Sequence, residues 1–257
     1  MKNSTSPPVA VITGGARRLG YYISQSLLER GYQLFVLYRS RTEELKQLEL
    51  KGAITLQVDL ADPDNLHSAI VHLRTHAPTV NVLVNNASEF YPDSRDTLDL
   101  ATQTSRLFQI NCIAPLMLMD GLKPQLDSAS LTEGTSSLIV NITDIFAERP
   151  NPRFASYCAS KAALSNLTLS YAGKLAPNVR VNAIMPGPIK FLPSHTEQQR
   201  KQVLSETLLP REGGFESVVI QLLALIDNEF ITGAQIPVDG GRRLSQGMSF
   251  QIDSDAC

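Results

Sequence analysis

The sequence predicts one doubly wound α/β domain, in which helices cover both faces of a parallel sheet of about seven strands. Short apolar runs alternate with longer segments of helical periodicity, an order that is typical of βαβ units. Several runs are apolar along nearly their whole length, as expected for strands that are covered on both faces. No linker divides the middle of the 257 residues. We therefore predict a single domain over residues 9–245, with flexible termini at 1–8 and 246–257.

Each predicted strand is a short, mainly apolar run that leads into a turn. In chain order, the strands are Val9–Thr13, Gln33–Tyr38, Ile54–Asp59, Val80–Asn85, Ser137–Ile142, Val179–Ile184 and Gln235–Val238. Helices are predicted near 18–30, 42–51, 63–74, 97–126, 153–176, 196–208 and 214–227. The third helix has a well-marked start, because Asp62 is a typical N-cap and Pro63 suits the first helical position.

Composition narrows the class of function. The net charge of −2 gives no support for a nucleic-acid partner or an anionic membrane partner. No apolar run approaches the length of a membrane span, and the N-terminal segment lacks the apolar core of a signal peptide. The cysteines are scattered, and the spacing of His67, His72 and His76 does not put them on one face, so neither a disulfide framework nor a metal site is predicted. These features favour the reducing cytoplasm.

A tyrosine and a lysine stand four positions apart on the helix predicted at 153–176. Tyr157 and Lys161 therefore lie on one face of that helix, about one turn apart. The lysine ammonium can favour the phenolate and bring the tyrosine pKa nearer to neutral pH, which suits a general acid. A carboxyl group, Asp144, stands thirteen positions before the tyrosine.

A glycine-bearing turn, TGGARRLG, joins the first strand to the first helix. Such a turn lets backbone N–H groups approach a pyrophosphate, and the helix dipole adds to the attraction. Gly14 and Gly20 lie at its two ends, and Arg18 can meet the pyrophosphate with charge-assisted hydrogen bonds. The alternative interpretation is a degenerate loop that binds nothing.

The end of the second strand indicates which dinucleotide is bound. Sites for NADH carry an acidic residue there, which accepts hydrogen bonds from the ribose hydroxyls. Here the strand ends with Tyr38, and Arg39 and Ser40 follow it, with Arg17 nearby in the glycine turn. A guanidinium attracts the 2′-phosphate that an acid would repel, so the sequence predicts NADPH. The alternative is that Arg39 merely caps the strand in solvent.

These motifs resemble those of the short-chain dehydrogenase/reductase superfamily, which has a Rossmann-type sheet. The resemblance implies a catalytic group of Asn111, Tyr157 and Lys161, with the asparagine supporting the lysine through a water molecule. A serine usually stands where this chain has Asp144. Because a carboxylic acid can also pass a proton to a ring nitrogen, this aspartate indicates a C=N bond in a heterocycle rather than a simple ketone. Further cofactor contacts are implied for Leu19, Asp59, Leu60, Asn86, Ala87, Ser88, Pro186 and Gly187.

The segments TGGARRLG, YRS, NNASEFYP, NITD and YCASKAAL together resemble the pteridine reductases and the related dihydromonapterin reductases. The resemblance covers nearly the whole chain. It implies NADPH-dependent transfer of hydride to a C=N bond of dihydromonapterin, dihydrobiopterin or dihydrofolate, by a homotetramer. The residues that would face the pterin are Arg18, Ser88, Phe90, Asp144 and Tyr157, with Tyr91 as an alternative stacking ring.

Two other functions fit the same fold, since fold alone does not decide function. One is NADPH-dependent reduction of a carbonyl, such as a 3-oxoacyl thioester or another ketone, and the aspartate at position 144 stands against it. The other is a non-catalytic NADPH-binding scaffold, against which the intact proton-relay residues stand. The segment 188–208 is predicted to form a substrate lid, where Lys190 would pair with an acidic tail and His195 either contacts substrate or faces solvent. The helices at 97–126 and 153–176 are the predicted subunit interface.

Overall fold

A computed structural model of the protein describes residues 6–245. Its strands form one parallel sheet in the order β3-β2-β1-β4-β5-β6-β7, and helices pack on both faces, which confirms the predicted α/β fold. The predicted flexible termini fall almost entirely outside the described residues. The strands are β1 (Val9–Thr13), β2 (Gln33–Tyr38), β3 (Ile54–Gln57), β4 (Val82–Asn85), β5 (Ser137–Ile142), β6 (Val179–Pro186) and β7 (Gln235–Val238).

Three strands differ from their predicted bounds. β3 ends before Asp59, because the N–H of that residue donates to Asn65 Oδ1 at 2.7 Å instead of to a strand. β4 begins after Val80, whose N–H donates to the carbonyl of Gln125 at 3.0 Å. β6 continues through Pro186 in register with β7. The chemistry-bearing residues therefore still follow the carboxyl ends of their strands.

The helix predicted over 97–126 is wrong as a single element. It is divided into α4 (Thr97–Phe108), a π-helical turn (Gln109–Ile113), α5 (Ala114–Gly121) and α6 (Lys123–Glu133). A proline lies in the first turn of both α5 and α6, where it cannot supply the N–H that a continuous helix needs. The other helices are α1 (Arg18–Glu29), α2 (Glu43–Leu50), α3 (Pro63–His76), α7 (Ala155–Leu175), α8 (Glu197–Ser205), α9 (Phe215–Asp227) and α10 (Arg242–Ser245), the last of which was not predicted.

Successive side chains of the central strands pack alternately into two apolar cores, one on each face of the sheet. Val11 of β1 packs into a cluster with residues of α3, α5 and α7, and its neighbour Ile12 packs into a second cluster with residues of α1 and α9. This explains why the strands are apolar throughout their length. Within residues 6–245 no helix combines the length and the apolar character that a membrane crossing requires.

The chain order reverses at β1, which pairs with β2 on one side and with β4 on the other. In open α/β sheets such a switch point opens a crevice at the carboxyl ends of the strands. Gly14 follows β1, Arg39 follows β2 and Asn86 follows β4. The fold therefore brings three segments with predicted cofactor contacts to one edge of the sheet.

Candidate active site

Two clefts lie side by side along this edge, with residues 88–90 between them. The first has a volume of about 310 Å³ and the second about 560 Å³. Candidate cofactor residues in the lining of the first cleft are Gly14, Arg17, Arg18, Leu19, Tyr38, Arg39, Ser40, Asp59, Leu60, Asn86, Ala87 and Ser88. The lining of the second cleft includes Phe90, Asp144, Tyr157 and Gly187, whereas Asn111, Lys161 and Pro186 lie outside both linings.

The glycine turn leaves no room for larger side chains at its ends. A Cβ on Gly20 would lie 2.1 Å from the carbonyl oxygen of Gly14, and a Cβ on Gly14 would lie 3.0 Å from the backbone of Ala87. Arg18 stands where the resemblance expects a glycine, yet its backbone keeps a left-handed conformation, with a φ of +50°. The turn therefore keeps a close backbone approach despite the substitution.

The side chain of Arg18 joins the two clefts. Its Nη2 donates to the carbonyl of Lys190 at 3.0 Å, and its guanidinium lies 5.5 Å from the ring centroid of Phe215. Partial burial lowers the pKa of Arg18, and the neighbouring charge of Arg17 lowers it further. An arginine in a protein nevertheless remains charged, so a cation lies at the junction of the clefts.

The segment after β4 is fixed against the glycine turn. Thr13 Oγ1 accepts hydrogen bonds from the backbone N–H groups of Asn86 and Ala87, both at 3.0 Å. Asn86 Nδ2 donates in return to the carbonyls of Thr13 at 3.0 Å and Gly14 at 3.1 Å. These hydrogen bonds fix the position of the segment after β4 relative to the glycine turn, and both segments carry residues that are predicted to contact the dinucleotide.

A carboxyl and a phenol share a hydrogen bond in the second cleft. Tyr157 Oη donates to Asp144 Oδ2 at 2.8 Å, and Asp144 Oδ1 accepts the N–H of Phe146 at 2.8 Å. Tyr157 is only 4% exposed. Burial raises the pKa of both groups, and the charge of Asp144 raises the pKa of Tyr157 further, well above its usual value. A carboxyl with a raised pKa holds its proton closer to neutral pH, which suits a proton donor.

Lys161 is buried and lies apart from the phenolic oxygen. Its Nζ donates to the carbonyl of Ile142 at 2.9 Å and lies 6.0 Å from the ring centroid of Tyr157. Burial lowers the pKa of Lys161 to about 8, against the opposing attraction of Asp144. The predicted lowering of the Tyr157 pKa by Lys161 is therefore wrong for this state of the protein, because burial and the adjacent carboxylate outweigh the ammonium.

Replacing Lys161 by methionine is expected to raise the free energy of unfolding near pH 7 by about 1 kcal/mol. The lowered pKa of about 8 means that the unfolded chain holds this proton more tightly than the folded protein does. The cost of the buried charge is fully present below pH 8 and fades as the pH rises towards the unfolded pKa of about 10.4. Urea unfolding at several pH values measures the difference between the two proteins.

The control is Lys201→Met, whose parent side chain is 78% exposed and pairs with Glu197 on α8. It should show no gain near pH 7. A gap between wild type and Lys161→Met that stays constant up to pH 10 would contradict the explanation by charge burial.

Asn111 lies in the π-helical turn, and its side-chain amide is fully engaged. Oδ1 accepts from Ser88 Oγ and from the N–H of Glu89, both at 3.0 Å. Nδ2 donates to the carbonyl of Glu89 at 3.1 Å and to Ser160 Oγ at 3.0 Å. Lys161 is not among these direct partners. The amide instead ties the segment between the clefts to α7.

Aromatic rings line one wall of the second cleft. Phe90 is 42% exposed and stacks on Phe154, with centroids 4.5 Å apart and ring planes 13° apart. It also meets the edge of Tyr157 at 4.7 Å. Tyr91, the alternative stacking ring, packs beside Leu107 in a small buried cluster and lies outside the cleft lining. A flat ring that enters the cleft therefore meets Phe90 and Phe154.

The segment predicted as a lid contributes several residues to this second cleft. Lys190 Nζ forms an ion pair with Glu212 at 2.7 Å. His195 is half-buried in the cleft lining, with its ring 5.7 Å from that of Phe191 in an edge-on contact, so the substrate contact and the solvent-facing position both stay predictions.

Sequence reasoning missed Arg242, whose guanidinium lines the second cleft. Its Nη2 pairs with Glu206 at 2.9 Å, and the group lies 5.8 Å from the ring centroid of Phe146. It therefore fastens the end of the lid segment to the residues after β7. The adjacent arginines that follow VDGG in the sequence were the available signal. Phe154 and Glu89 were also missed, because Phe154 stacks on Phe90 and Glu89 pairs with Arg39, and these partners are distant in sequence.

The prediction that the three histidines of α3 do not share one face is only partly right. His72 and His76 do share a face, because they are one helical turn apart, and their rings stack with centroids 4.0 Å apart. His67 is not part of this stack. Over the described part of the chain, no group of three His, Cys, Asp or Glu side chains is arranged to hold a metal ion.

The residues of the first cleft fit a phosphorylated dinucleotide. The close approach of Gly14 and Gly20 brings backbone N–H groups to the start of α1, where a pyrophosphate is attracted. Arg17, Arg18 and Arg39 add cations to the same lining. The second cleft, with its carboxyl–phenol pair, lies directly beside it.

This combination of sheet order, glycine turn and tyrosine–lysine helix defines a class of nucleotide-dependent oxidoreductases. The chain belongs to the short chain dehydrogenase family, whose pattern matches residues 8–203.

Within this family, the chain is similar to reductases that are named for pterin or folate substrates. The chain is 32% identical over 238 residues to the dihydromonapterin reductase of Klebsiella pneumoniae subsp. pneumoniae, covering 93% of this chain and 98% of the relative. It is 30% identical over 240 residues to that of Escherichia coli strain K12, with the same coverage. FolM alternative dihydrofolate reductase 1 from Brucella canis, solved in complex with NADP, is similar in structure, with a TM-score of 0.82, 29% identity and 97% coverage of both chains.

Proposed function

We propose that this protein is an NADPH-dependent pteridine reductase, which transfers hydride to a C=N bond of a dihydropterin and gives the tetrahydropterin. The observation that carries the proposal is the 2.8 Å hydrogen bond between Tyr157 and Asp144 in the cleft beside the dinucleotide cleft. A carboxyl group placed there can protonate a ring nitrogen. The relatives named as dihydromonapterin reductases and as alternative dihydrofolate reductase support the same class of substrate.

NADPH supplies the hydride when it is bound, and residues of the first cleft would hold it. Gly14 and Gly20 admit the pyrophosphate, and Arg17 and Arg18 offer charge-assisted hydrogen bonds to it. Arg39 and Ser40 would take the 2′-phosphate, and no acid follows β2 directly to oppose it. The other proposed contacts with NADPH fall into three groups. Asp59 and Leu60 would border the adenine. The middle of the dinucleotide would meet Leu19, Tyr38, Asn86, Ala87 and Ser88, and the nicotinamide would meet Tyr157, Lys161, Pro186 and Gly187.

The proton half of the reaction falls to side chains of the second cleft. Reduction of a 7,8-dihydropterin at C6 leaves N5 in need of a proton, which Asp144 would donate. Tyr157 would pass a proton to the carboxylate through their shared hydrogen bond, and the buried ammonium of Lys161 would stabilise the negative charge that develops. Reduction of a fully oxidised pterin at C7 would place the same proton on N8. A water link from Asn111 to this relay would have to use its backbone, because all four hydrogen-bonding positions of its side-chain amide are occupied.

The walls of the second cleft suit a flat heterocycle with polar edges. Phe90 offers an aromatic face to a pterin ring, next to Phe154. Ser88 and Arg18 would meet the amino and oxo groups of the pterin from the side of the first cleft. A p-aminobenzoyl-glutamate tail that used Lys190 would have to compete with Glu212 for its ammonium.

The resemblance also supports a cytoplasmic homotetramer. The π-helical turn and α7 expose the apolar side chains of Ile113 and Leu169, which lie in the two segments of the proposed subunit interface, 97–126 and 153–176. Covering them in a partner contact would remove apolar surface from water. Analytical ultracentrifugation at micromolar concentration distinguishes a tetramer from a monomer.

Reduction of a ketone or 3-oxoacyl thioester is the alternative reaction, and a non-catalytic NADPH scaffold is the second. The deciding experiment follows NADPH oxidation with dihydromonapterin, dihydrofolate and an acetoacetyl thioester side by side. We expect turnover of a dihydropterin with NADPH, little with NADH, and little with the thioester. Activity on the thioester alone would make the protein a carbonyl reductase, and oxidation with none of the three would favour the scaffold.

A further inference from the structure

Glu89 places a carboxylate in the lining of the first cleft, where cations meet a phosphorylated cofactor. It forms an ion pair with Arg39, and both its oxygens accept hydrogen bonds of 2.8 Å from Arg106. Arg39 follows β2 and Glu89 follows β4, on opposite sides of β1. Their ion pair therefore spans the crevice at the point where the strand order reverses.

Arg39 is the less firmly held partner in this cluster. Its side chain is 48% exposed, against 18% for Glu89, and ion pairs with this degree of exposure contribute little stability. Arg106 grips the carboxylate with a forked pair of donors from Nε and Nη2. Burial alone would raise the pKa of Glu89, but hydrogen bonds from Arg106 and Arg39 outweigh it and lower that pKa. The carboxylate is thus ionised, and Arg39 can leave it while Arg106 stays.

The backbone of Glu89 is fixed independently of its side chain. Asn111 Oδ1 accepts its N–H at 3.0 Å, and Asn111 Nδ2 donates to its carbonyl at 3.1 Å. A change of the carboxyl group therefore leaves the segment between the clefts anchored to the π-helical turn.

Resting on the proposed use of NADPH, we infer that Glu89 is a specificity-determining residue that competes with the cofactor 2′-phosphate for Arg39. Arg106 limits this competition, because it holds the carboxylate when Arg39 turns to the phosphate. NADH lacks the 2′-phosphate, so it leaves the ion pair of Arg39 and Glu89 in place. The balance among the three side chains then sets how strongly NADPH is preferred.

Substitutions of Glu89 and of Arg106 are expected to change NADPH binding in opposite directions. Glu89→Gln is expected to tighten NADPH binding roughly three- to tenfold and to change NADH binding little, because Arg39 becomes free for the phosphate. Arg106→Gln is expected to weaken NADPH binding by a similar factor, because the carboxylate of Glu89 then depends on Arg39 alone. The double variant should match Glu89→Gln, since no carboxylate is left for Arg106 to restrain.

Fluorescence titration of NADPH and of NADH into the full-length protein, without pterin, measures these affinities. Glu49→Gln is the matched control, since Glu49 also pairs with an arginine, Arg41, at 2.7 Å but lies outside the cleft linings. If thermal unfolding shows that Glu89→Gln is poorly folded, Glu89→Ala replaces it, with the same expected gain in NADPH affinity.

Weaker NADPH binding in the Glu89 variants would overturn the inference, and so would equal changes in Glu89→Gln and Glu49→Gln. A double variant that binds NADPH as weakly as Arg106→Gln would also overturn it, because Arg106 would then act on the phosphate directly. Pterin turnover does not enter the measurement, so these results leave the proposed reaction standing. A wild-type protein that binds no NADPH would overturn both.

Discussion

Replacing Asp144 by asparagine is expected to lower dihydropterin reduction by at least about a hundredfold and to leave NADPH affinity nearly unchanged. Asparagine keeps the size of the side chain and an oxygen that can accept the N–H of Phe146, but it has no acidic proton to give. Asp144 lines the second cleft and not the first, so the cofactor contacts are undisturbed. Rates come from NADPH oxidation at saturating dihydropterin, and affinities come from titration of the cofactor.

A matched control separates proton donation from helix capping. Asp96 caps α4 by accepting the N–H of Leu98 at 2.9 Å, and it lies outside both clefts, so Asp96→Asn should keep full turnover. Asp144→Ser should lose turnover as Asp144→Asn does, because a serine hydroxyl is a poor acid. If turnover and NADPH affinity fell together in the Asp144 variants, the residue would be a structural cap and not the proton donor.

The raised pKa of Asp144 fixes the direction of the pH dependence. The group acts in its protonated form, so turnover should fall as the pH rises through the raised pKa. The folded protein also holds this proton more tightly than the unfolded chain does, so the stability from this site is present below the unfolded pKa of about 3.9 and is lost as the pH rises from there to the raised pKa. The asparagine variant should lack both changes.

Much of the fold was predictable because local signals and tertiary structure agree. The apolar runs became the strands of a parallel sheet, and the glycine turn after β1 was placed at the switch point. Asp144 and Tyr157 were predicted to act together, and their hydrogen bond joins the ends of two different elements. Sequence spacing was sufficient here, since β5 and α7 lie close together along the chain.

Other features depend on segments that are far apart in sequence, so spacing could not predict them. The pair of Arg39 and Glu89 bridges two strands with β1 between them, and the pair of Arg242 and Glu206 joins the lid to the residues after β7. The raised pKa of Tyr157 depends on burial, which the motif alone does not specify. The π-helical turn and the interruption of the predicted helix at Leu122 were visible only as prolines, whose effect depends on the packing around them.

Replacing Gly20 by alanine is expected to abolish measurable NADPH binding and to lower the free energy of unfolding by about 2–4 kcal/mol. The new Cβ would lie 2.1 Å from the carbonyl oxygen of Gly14 and 2.7 Å from Asn86 Nδ2. The first neighbour is backbone, so it cannot turn aside as a flexible side chain would. The turn must open, and the hydrogen bonds between Asn86 and the turn open with it.

Gly173→Ala is the matched control, because a Cβ at Gly173, in α7, meets no atom within 4 Å. Alanine there is expected to raise the free energy of unfolding by about 0.5–1 kcal/mol through helix propensity, with NADPH affinity unchanged. Urea unfolding and cofactor titration on both variants then separate a steric effect from a propensity effect. Normal NADPH binding by Gly20→Ala would mean that the pyrophosphate does not lie on this turn, and the assignment of the first cleft to the cofactor would fail with it.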